Sequence, residues 1–504
     1  MTTNCNLSSL QVYSNSDEKP WNEQRANHLY RRLSYGARPS LIRTALTEVP
    51  EQIVDTLIDE AVSLPITTAP VWTTTTKNEY EQSGVTFDDV DGVDGINSIN
   101  TDEWILQTIN DQMNNGLRSL LTVFWHSHFV TEISEYRCAG YAVQYYNKLQ
   151  EHALGNFKTF VREIGLTNAM LTYLNGVDNK ENRPNDNYAR ELYELFTLGE
   201  KNGYTEDDIT NTAKALTGFN NKNNENVLDP DNNDSCTVIT FSEETFNTET
   251  KTIFGRSGNF GYDDVIDILF EEKPDLIAEF IVGKLYKFFV SPTLNNEVIL
   301  ELANEFKIDF ELEPILRKLF KSEHFFDEEA MATIIKSPYD IQLNILRVTG
   351  FPITDEQKTT IYAQNSAIGQ EFYQPVDVAG WQADYDWVNS ATLVGRWDYT
   401  MTIINYLHNS ELTEDVERLR DFAKEASNNS SDVEVVVRSI IDAFIPRGLN
   451  TETDYEIALD EFKGEVPENY FVENGIWNLD FEIVPSQVQI LFQYLVTLPE
   501  FQLK

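Results

Sequence analysis

The sequence predicts a mainly α protein: a large multi-helix domain with a short β-hairpin excursion and long irregular loops. Three observations carry that expectation. Apolar residues recur at three- and four-residue spacing along most of the 504 residues. Helix-opening Ser, Thr, Asp and Pro and helix-closing Gly stand at the ends of these stretches. Two strand-like runs, "CTVITF" (236–241) and "KTIFG" (251–255), lie beside one turn-rich stretch and read as the arms of a hairpin. With 41% hydrophobic and 12% aromatic residues, the chain has material for a large core, so global disorder is excluded.

In chain order, residues 21–33 predict a short helix that closes near Gly36, and Ser40 and Pro50 open two more. From about 67 to 100 the character changes. Four threonines (Thr73 to Thr76) and the acidic run "FDDVDGVDG" predict a long loop. Thr101 then serves as an N-cap, with Asp102 and Glu103 at the positive end of the helix dipole. Leu117, Leu121, Phe124 and His128 share one helix face within the stretch containing "FWHSHFV" (124–130). On that helix His128 turns into the core, and His126 lies about 200° away at ~100° per residue, beside Ser119 and Thr122. A regular helix therefore cannot bring both rings to one ion.

Residues 136–157 predict an aromatic-rich helix with His152 near its end. In "NRPNDNYARELYELFTLG" (182–199), Pro184 fits a helix start and Gly199 its close. Tyr188, Leu192 and Leu195 line one face, and Asn187, Glu191, Glu194 and Leu198 share its flank. Thr205-Glu206-Asp207-Asp208 caps the next helix, which runs to Gly218. Residues 219–260 form a second irregular zone that carries the hairpin. Helices resume at roughly 263–290, 295–322, 336–349, 354–368, 391–408, 412–427, 432–445 and 487–497. The segment "GQEFYQPVDVAGWQADYDW" (369–387) interrupts them with Gly, Pro and aromatics. No internal repeat is evident, and residues 1–504 read as a single domain.

Charge narrows the function. Acids outnumber bases 82 to 38, a net charge of −44, so nucleic acid and anionic membrane surfaces repel the chain. Such acidity suits solubility in salty surroundings or a surface that gathers cations. No apolar run reaches 18 residues, so no membrane span is expected. The start, "MTTNCNLSSLQVYSNSDEKPW", has neither the basic nor the apolar region of an export signal. Cys5, Cys138 and Cys236 allow one disulfide but no disulfide scaffold, which makes a reduced, cytoplasmic setting the default.

Familiar catalytic motifs are missing: no Gly-x-Ser-x-Gly, no phosphate-binding Gly-x-x-x-x-Gly-Lys-Ser/Thr, no Gly-x-Gly-x-x-Gly and no His-Glu-x-x-His. What remains is a set of polar groups in apolar company, where a charge costs several kcal/mol unless paired or metal-bound. Imidazoles and carboxylates on neighbouring helices form ligand sets for iron, manganese or zinc. The candidate metal ligands are His126, His128, His152 and Glu194. Glu191 and Arg190 are the candidate catalytic pair, and Asn185, Asn187 and Trp381 the candidate substrate-binding residues. The same groups suit metal-free catalysis with a histidine base, or a structural network in which Arg190 and Glu194 pair at i, i+4. Calcium is a further cofactor reading for the acidic loops at 88–95 and 229–234, although neither matches an EF-hand loop.

Seven blocks occur in order: "HLYRRLSYG" (28–36), "LTVFWHSHFV" (121–130), "HALGNF" (152–157), "NDNYARELYELFTLG" (185–199), "GYTEDDITNTAKALTGF" (203–219), "KLYKFF" (284–289) and "GQEFYQPVDVAGW" (369–381). Through them the chain resembles the bacterial domain-of-unknown-function 1800 family over nearly its full length. The resemblance implies a predominantly helical fold in one long domain and no established activity. It also implies an exported or cell-envelope setting, beside a partner resembling the alkaline phosphatase and sulfatase superfamily. The chain departs from that pattern in having no recognisable export signal. It departs again at Phe196, where the family's block often carries histidine. Two functions are expected from these readings. One is a metal-dependent enzyme with a His/Glu site in the helical core. The other is a non-catalytic binding or assembly protein for an envelope partner or surface polymer, with Trp381, Tyr385 and Trp387 offering stacking faces to a glycan.

Overall fold

The structure is a computed structural model that describes residues 9–90, 92–220, 236–471 and 476–504. It is mainly α, with two small two-stranded sheets among the described residues. Their buried apolar side chains form one contiguous cluster. No helix among them is long and apolar enough to cross a membrane.

Local chemistry explains where the elements begin. Asn22 accepts from Arg25 N–H and opens helix Glu23–Ser34, which closes on Tyr35 in the left-handed conformation (φ 63°). Pro39 and Pro50 occupy first-turn positions, where no intrahelical N–H is needed. Thr205 and Asp208 form the reciprocal capping box expected of them, and that helix spans Glu206–Ala215.

Several boundaries differ from the sequence reading. The helix expected to start at Thr101 starts at Ile96, with Gly95 as N-cap. Asp89 accepts from Gly95 N–H, which folds the acidic loop back and opens the helix early. The Thr101 hydroxyl instead donates to Asn97 O inside the helix. The 136–157 stretch divides into Ala139–Glu151 and Phe157–Ile164, because Asn156 caps a fresh helix by accepting from Thr159 N–H. Pro274 likewise divides 263–290 into Tyr262–Glu272 and Pro274–Phe289. A helix absent from the sequence reading, Glu452–Lys463, is opened by a Thr451–Asp454 capping box.

The hairpin exists with different partners. Phe219–Asn220 pairs with Thr240–Phe241, and Lys251–Ile253 pairs with Arg256–Gly258. "CTVITF" and "KTIFG" are therefore not each other's partners; the glycine turn after Phe254 lets the second run fold on itself. Cys138 and Cys236 form a disulfide across 98 residues of sequence. Such bonds persist in oxidising compartments and are rare in a reducing cytosol, which sets this one against the cytoplasmic default.

Helix Gly116–His128 lies at the centre of the cluster. The buried Arg118 guanidinium donates to Ala61 O and Gln150 O, the carbonyl ends of two neighbouring helices. Trp125, fully buried, donates its indole N–H to Ala153 O. These anchors fix the rotation of the helix and hence the directions of His126 and His128.

Candidate functional site

The two histidines of "FWHSHFV" are buried and have different neighbours. His126 Nε2 accepts a hydrogen bond from Tyr373 N–H at 3.1 Å, and Trp381 lies over its ring at 4.8 Å between centroids. Burial pushes the His126 imidazole down to about 4, so it is neutral at ordinary pH. Its next neighbour in sequence, Ser127, accepts from Trp381 N–H at 3.2 Å through Oγ. Gly380 completes the joint. With φ +101°, it brings the 369–387 segment so close that a Cβ would stand 2.3 Å from Ser127 O. Tyr373 O then accepts from Ile133 N–H at 2.8 Å. The 369–387 interruption is thus docked through its own backbone onto the end of this helix.

His128 has another environment. Its Nε2–H donates to Phe196 O at 3.1 Å, leaving Nδ1 to accept from Lys284 Nζ at 2.9 Å. Burial and the Lys284 charge hold its imidazole far below the usual histidine range. The Phe196 carbonyl is presented by a π-helical turn, Leu192–Thr197, that follows helix Asn187–Glu191. In that wider turn Leu198 and Gly199 N–H groups both return to Tyr193 O, and Phe196 O is available to the imidazole. The turn also breaks the regular phase on which the sequence placed Glu191 and Glu194 on one flank.

His128 and Lys284 open onto a cavity of about 460 Å3. Its walls come from three of the sequence blocks: Phe124, Ser127 and His128 from the first; Lys284, Lys287 and Phe288 from the second; Ala379 and Trp381 from the third. Ser337, Asp340 and Lys504 close another side, where Lys504 Nζ lies 2.6 Å from the Asp340 carboxylate. Lys284 is the unusual group. It is partly buried, donates to a neutral imidazole, and has no carboxylate ion pair among the described residues. Burial, reinforced by the like charge of Lys287, pushes its ammonium down to about 8.

The other sequence-derived candidates lie elsewhere. His152 Nε2 is 2.9 Å from Glu163, and with Glu151 these form the one group of three or more His, Cys, Asp or Glu donors close enough to share an ion among the described residues. Lys148 Nζ sits between the two carboxylates, 2.7 Å from Glu151 and 2.8 Å from Glu163. Glu194 pairs with Arg190 at 3.3 Å, and Arg190 also reaches Asp186 and Glu206. Glu191 is partly buried, and desolvation with the adjacent Glu194 raises its carboxyl. Asn185 and Asn187 fasten a loop: Asn185 accepts from Asn187 N–H, and Asn187 donates to Asn175. Pro184 lies before the helix, which begins at Asn187.

The four metal candidates His126, His128, His152 and Glu194 therefore do not converge. Of the nine site candidates, only His128 and Trp381 line the cavity. Of the calcium candidates, 229–234 and Asp91 lie outside the described residues. Asp88 pairs with Lys77 at 2.6 Å. Sequence reasoning missed Lys284, Lys287, Asp340 and Lys504. The available signal was "KLYKFF", two lysines inside an aromatic run, which entered as one of the seven blocks of the family resemblance.

Comparison with protein families matches residues 28–503 to a family described as "Protein of unknown function (DUF1800)". No curated protein and no solved structure matches the chain.

Proposed function

The chain belongs to the DUF1800 family, and since that membership brings no activity with it, we propose a function from the cavity itself: binding of a small organic anion with an apolar body. One observation carries the proposal. In a chain where acids outnumber bases 82 to 38, Lys284 makes no carboxylate ion pair among the described residues, although Asp340, held by Lys504, and Asp384 line the same cavity. A partly buried ammonium facing a roomy cavity is stabilised by a ligand that brings its own negative charge. Lys287, on the same helix and the same wall, supplies a second cation. Phe124, Phe288, Trp381 and Trp387 supply apolar and aromatic surface. The volume lies in the range of small-molecule sites, and a long surface polymer would have to enter by one residue or end group.

The test is thermal stabilisation and tryptophan fluorescence of the whole protein against aromatic carboxylates, 2-oxo acids, dicarboxylates and sugar phosphates. Uncharged isosteres serve as controls. At least one anion should bind with a salt-dependent Kd, and Lys284→Met should weaken it by about tenfold or more. Equal response to the uncharged controls would overturn the reading.

The metal-dependent enzyme has support from one place, the Glu151, His152 and Glu163 donors. Lys148 already answers both carboxylates there, so iron, manganese or zinc would have to displace an ammonium. Elemental analysis of protein purified without chelators decides this. A stoichiometric metal lost on His152→Ala would favour it over the anion site. The disulfide suits the envelope or exported setting that the family resemblance implies.

A further inference from the structure

We infer that Lys284 is a covalent amine nucleophile, forming an imine with a carbonyl-bearing anion such as a 2-oxo acid; this rests on the cavity being the ligand site. The inference comes from the juxtaposition of three groups on one wall: Lys284 Nζ, His128 Nδ1 at 2.9 Å, and the Lys287 ammonium one turn further along helix Pro274–Phe289.

Each group has a separate task. An amine attacks a carbonyl only as the free base, whereas an ordinary lysine, with a value of ~10.4, is almost wholly protonated at pH 7, and a neighbouring carboxylate holds it more firmly so. Lys284 has none. Its neighbours instead favour the neutral amine, and burial with the Lys287 charge pushes the ammonium down to about 8. About a tenth of it is then free base at pH 7. His128 cannot be a second cation beside it, because burial keeps the imidazole neutral. Its Nε2–H is committed to Phe196 O, so the Nδ1 lone pair faces the amine as a hydrogen-bond acceptor. Lys287, exposed and without a carboxylate ion pair among the described residues, lines the same cavity and would meet the carboxylate of a 2-oxo acid whose carbonyl carbon lies at Lys284.

The step balances without an oxidant or reductant. The Lys284 lone pair forms a bond to the carbonyl carbon, and the C=O π pair moves onto oxygen. A proton released from nitrogen passes through solvent to that oxygen, giving a carbinolamine, while neutral His128 Nδ1 keeps its hydrogen bond to the amine and holds it in place. Protonation of the hydroxyl lets it leave as water while the nitrogen pair forms C=N, and the iminium nitrogen then gives up its remaining proton to solvent, so no net proton is consumed. The sum is amine plus carbonyl to imine plus water.

The same groups face Lys284 in any purely electrostatic role, so the test must separate the two. Whole protein at pH 7.5 is incubated with pyruvate, reduced with sodium borohydride, and analysed by intact mass and peptide mapping. Glyoxylate and 2-oxoglutarate are run in parallel, with lactate as an anion lacking the carbonyl. The expected result is a single reduced adduct on Lys284 with one or more of the 2-oxo acids and none with lactate. Lys284→Arg, which keeps the charge, should lose the adduct and retain anion-induced thermal stabilisation. His128→Gln should slow adduct formation more than it weakens binding. Anion binding with no adduct, or adducts scattered over exposed lysines and unchanged in Lys284→Arg, would overturn the nucleophile while leaving the anion site standing. No response to any anion would sink both.

Discussion

The two sides of helix Gly116–His128 use the same residue type for opposite ends. His126 is closed in: its ring accepts a backbone N–H and lies under an indole, and the segment beyond is fixed by Gly380 and Ser127. His128 is held by one carbonyl and leaves its other nitrogen to a lysine that opens onto a cavity. Both rings are neutral through burial, so charge does not distinguish them. The difference is what the second nitrogen meets: His126 Nδ1 is buried with no hydrogen-bond partner among the described residues, whereas His128 Nδ1 meets Lys284. On the His126 side polar groups are spent on fixing the 369–387 segment. On the His128 side a cation is left facing open space.

The comparison breaks most severely at Gly380. Gly380→Ala places a Cβ 2.3 Å from Ser127 O at φ +101°, so either the segment lifts from the helix or the backbone takes up strain. A loss of about 3–4 kcal/mol is expected in denaturant unfolding, with loss of anion binding, since Trp381 and Ala379 leave the cavity wall with the segment. Next comes His126→Ala, which removes a buried ring and orphans Tyr373 N–H. It should cost about 2–3 kcal/mol.

The His126 side also has a pH signature. Its folded value, about 4, lies below the unfolded histidine value of ~6.5. The unfolded chain therefore binds more protons in that interval. The contribution of neutral His126 is complete above about pH 6.5 and is lost as pH falls toward 4, at about 1.4 kcal/mol per pH unit. His28 and His128 are depressed in the same direction. Removing His126 should accordingly make the acid limb of the unfolding profile shallower without flattening it. An unchanged limb would mean that His126 is solvated, and the contrast between the two sides would fail.

How much of this could be read in advance depends on the range of the physics involved. Helix class, the Thr205 capping box and the inward turn of His128 follow from local periodicity and short-range hydrogen bonds. The start at Gly95 was hidden because it depends on Asp89 folding back through the loop. The hairpin partners were hidden because a strand run does not state which strand it meets. The site failed for a related reason. Histidines and carboxylates were grouped by nearness in sequence, whereas Lys284 lies 156 residues from His128. Arg190, Glu191 and Glu194 looked like functional charges in apolar company. A π-helical turn and ion pairs to Asp186 and Glu206 turn them into a partly exposed network instead.

Lys284→Met sharpens the contrast by separating stability from binding. Taking away a desolvated charge with no carboxylate partner should shift stability by less than about 1 kcal/mol, in either direction, because lost solvation cost and lost packing oppose each other. Anion binding should fall at least tenfold in the same protein. A large destabilisation without a binding defect would make the lysine a structural strut and the two sides of the helix alike.

The smallest effect is expected where the sequence pointed most strongly. Arg190→Ala breaks ion pairs to Asp186, Glu194 and Glu206, two of whose carboxylates are more than half exposed. Exposed pairs are screened by water and salt, and holding their long side chains fixed costs entropy, so each contributes roughly 0–1 kcal/mol. The variant should unfold within about 1 kcal/mol of the parent and bind anions with an unchanged Kd. The remaining difference should shrink further in high salt. A loss of binding in Arg190→Ala with stability intact would reverse the assignment. The functional cation would then be on the Asn187–Glu191 helix, and the cavity beside His128 would be a packing defect between three well-fixed elements.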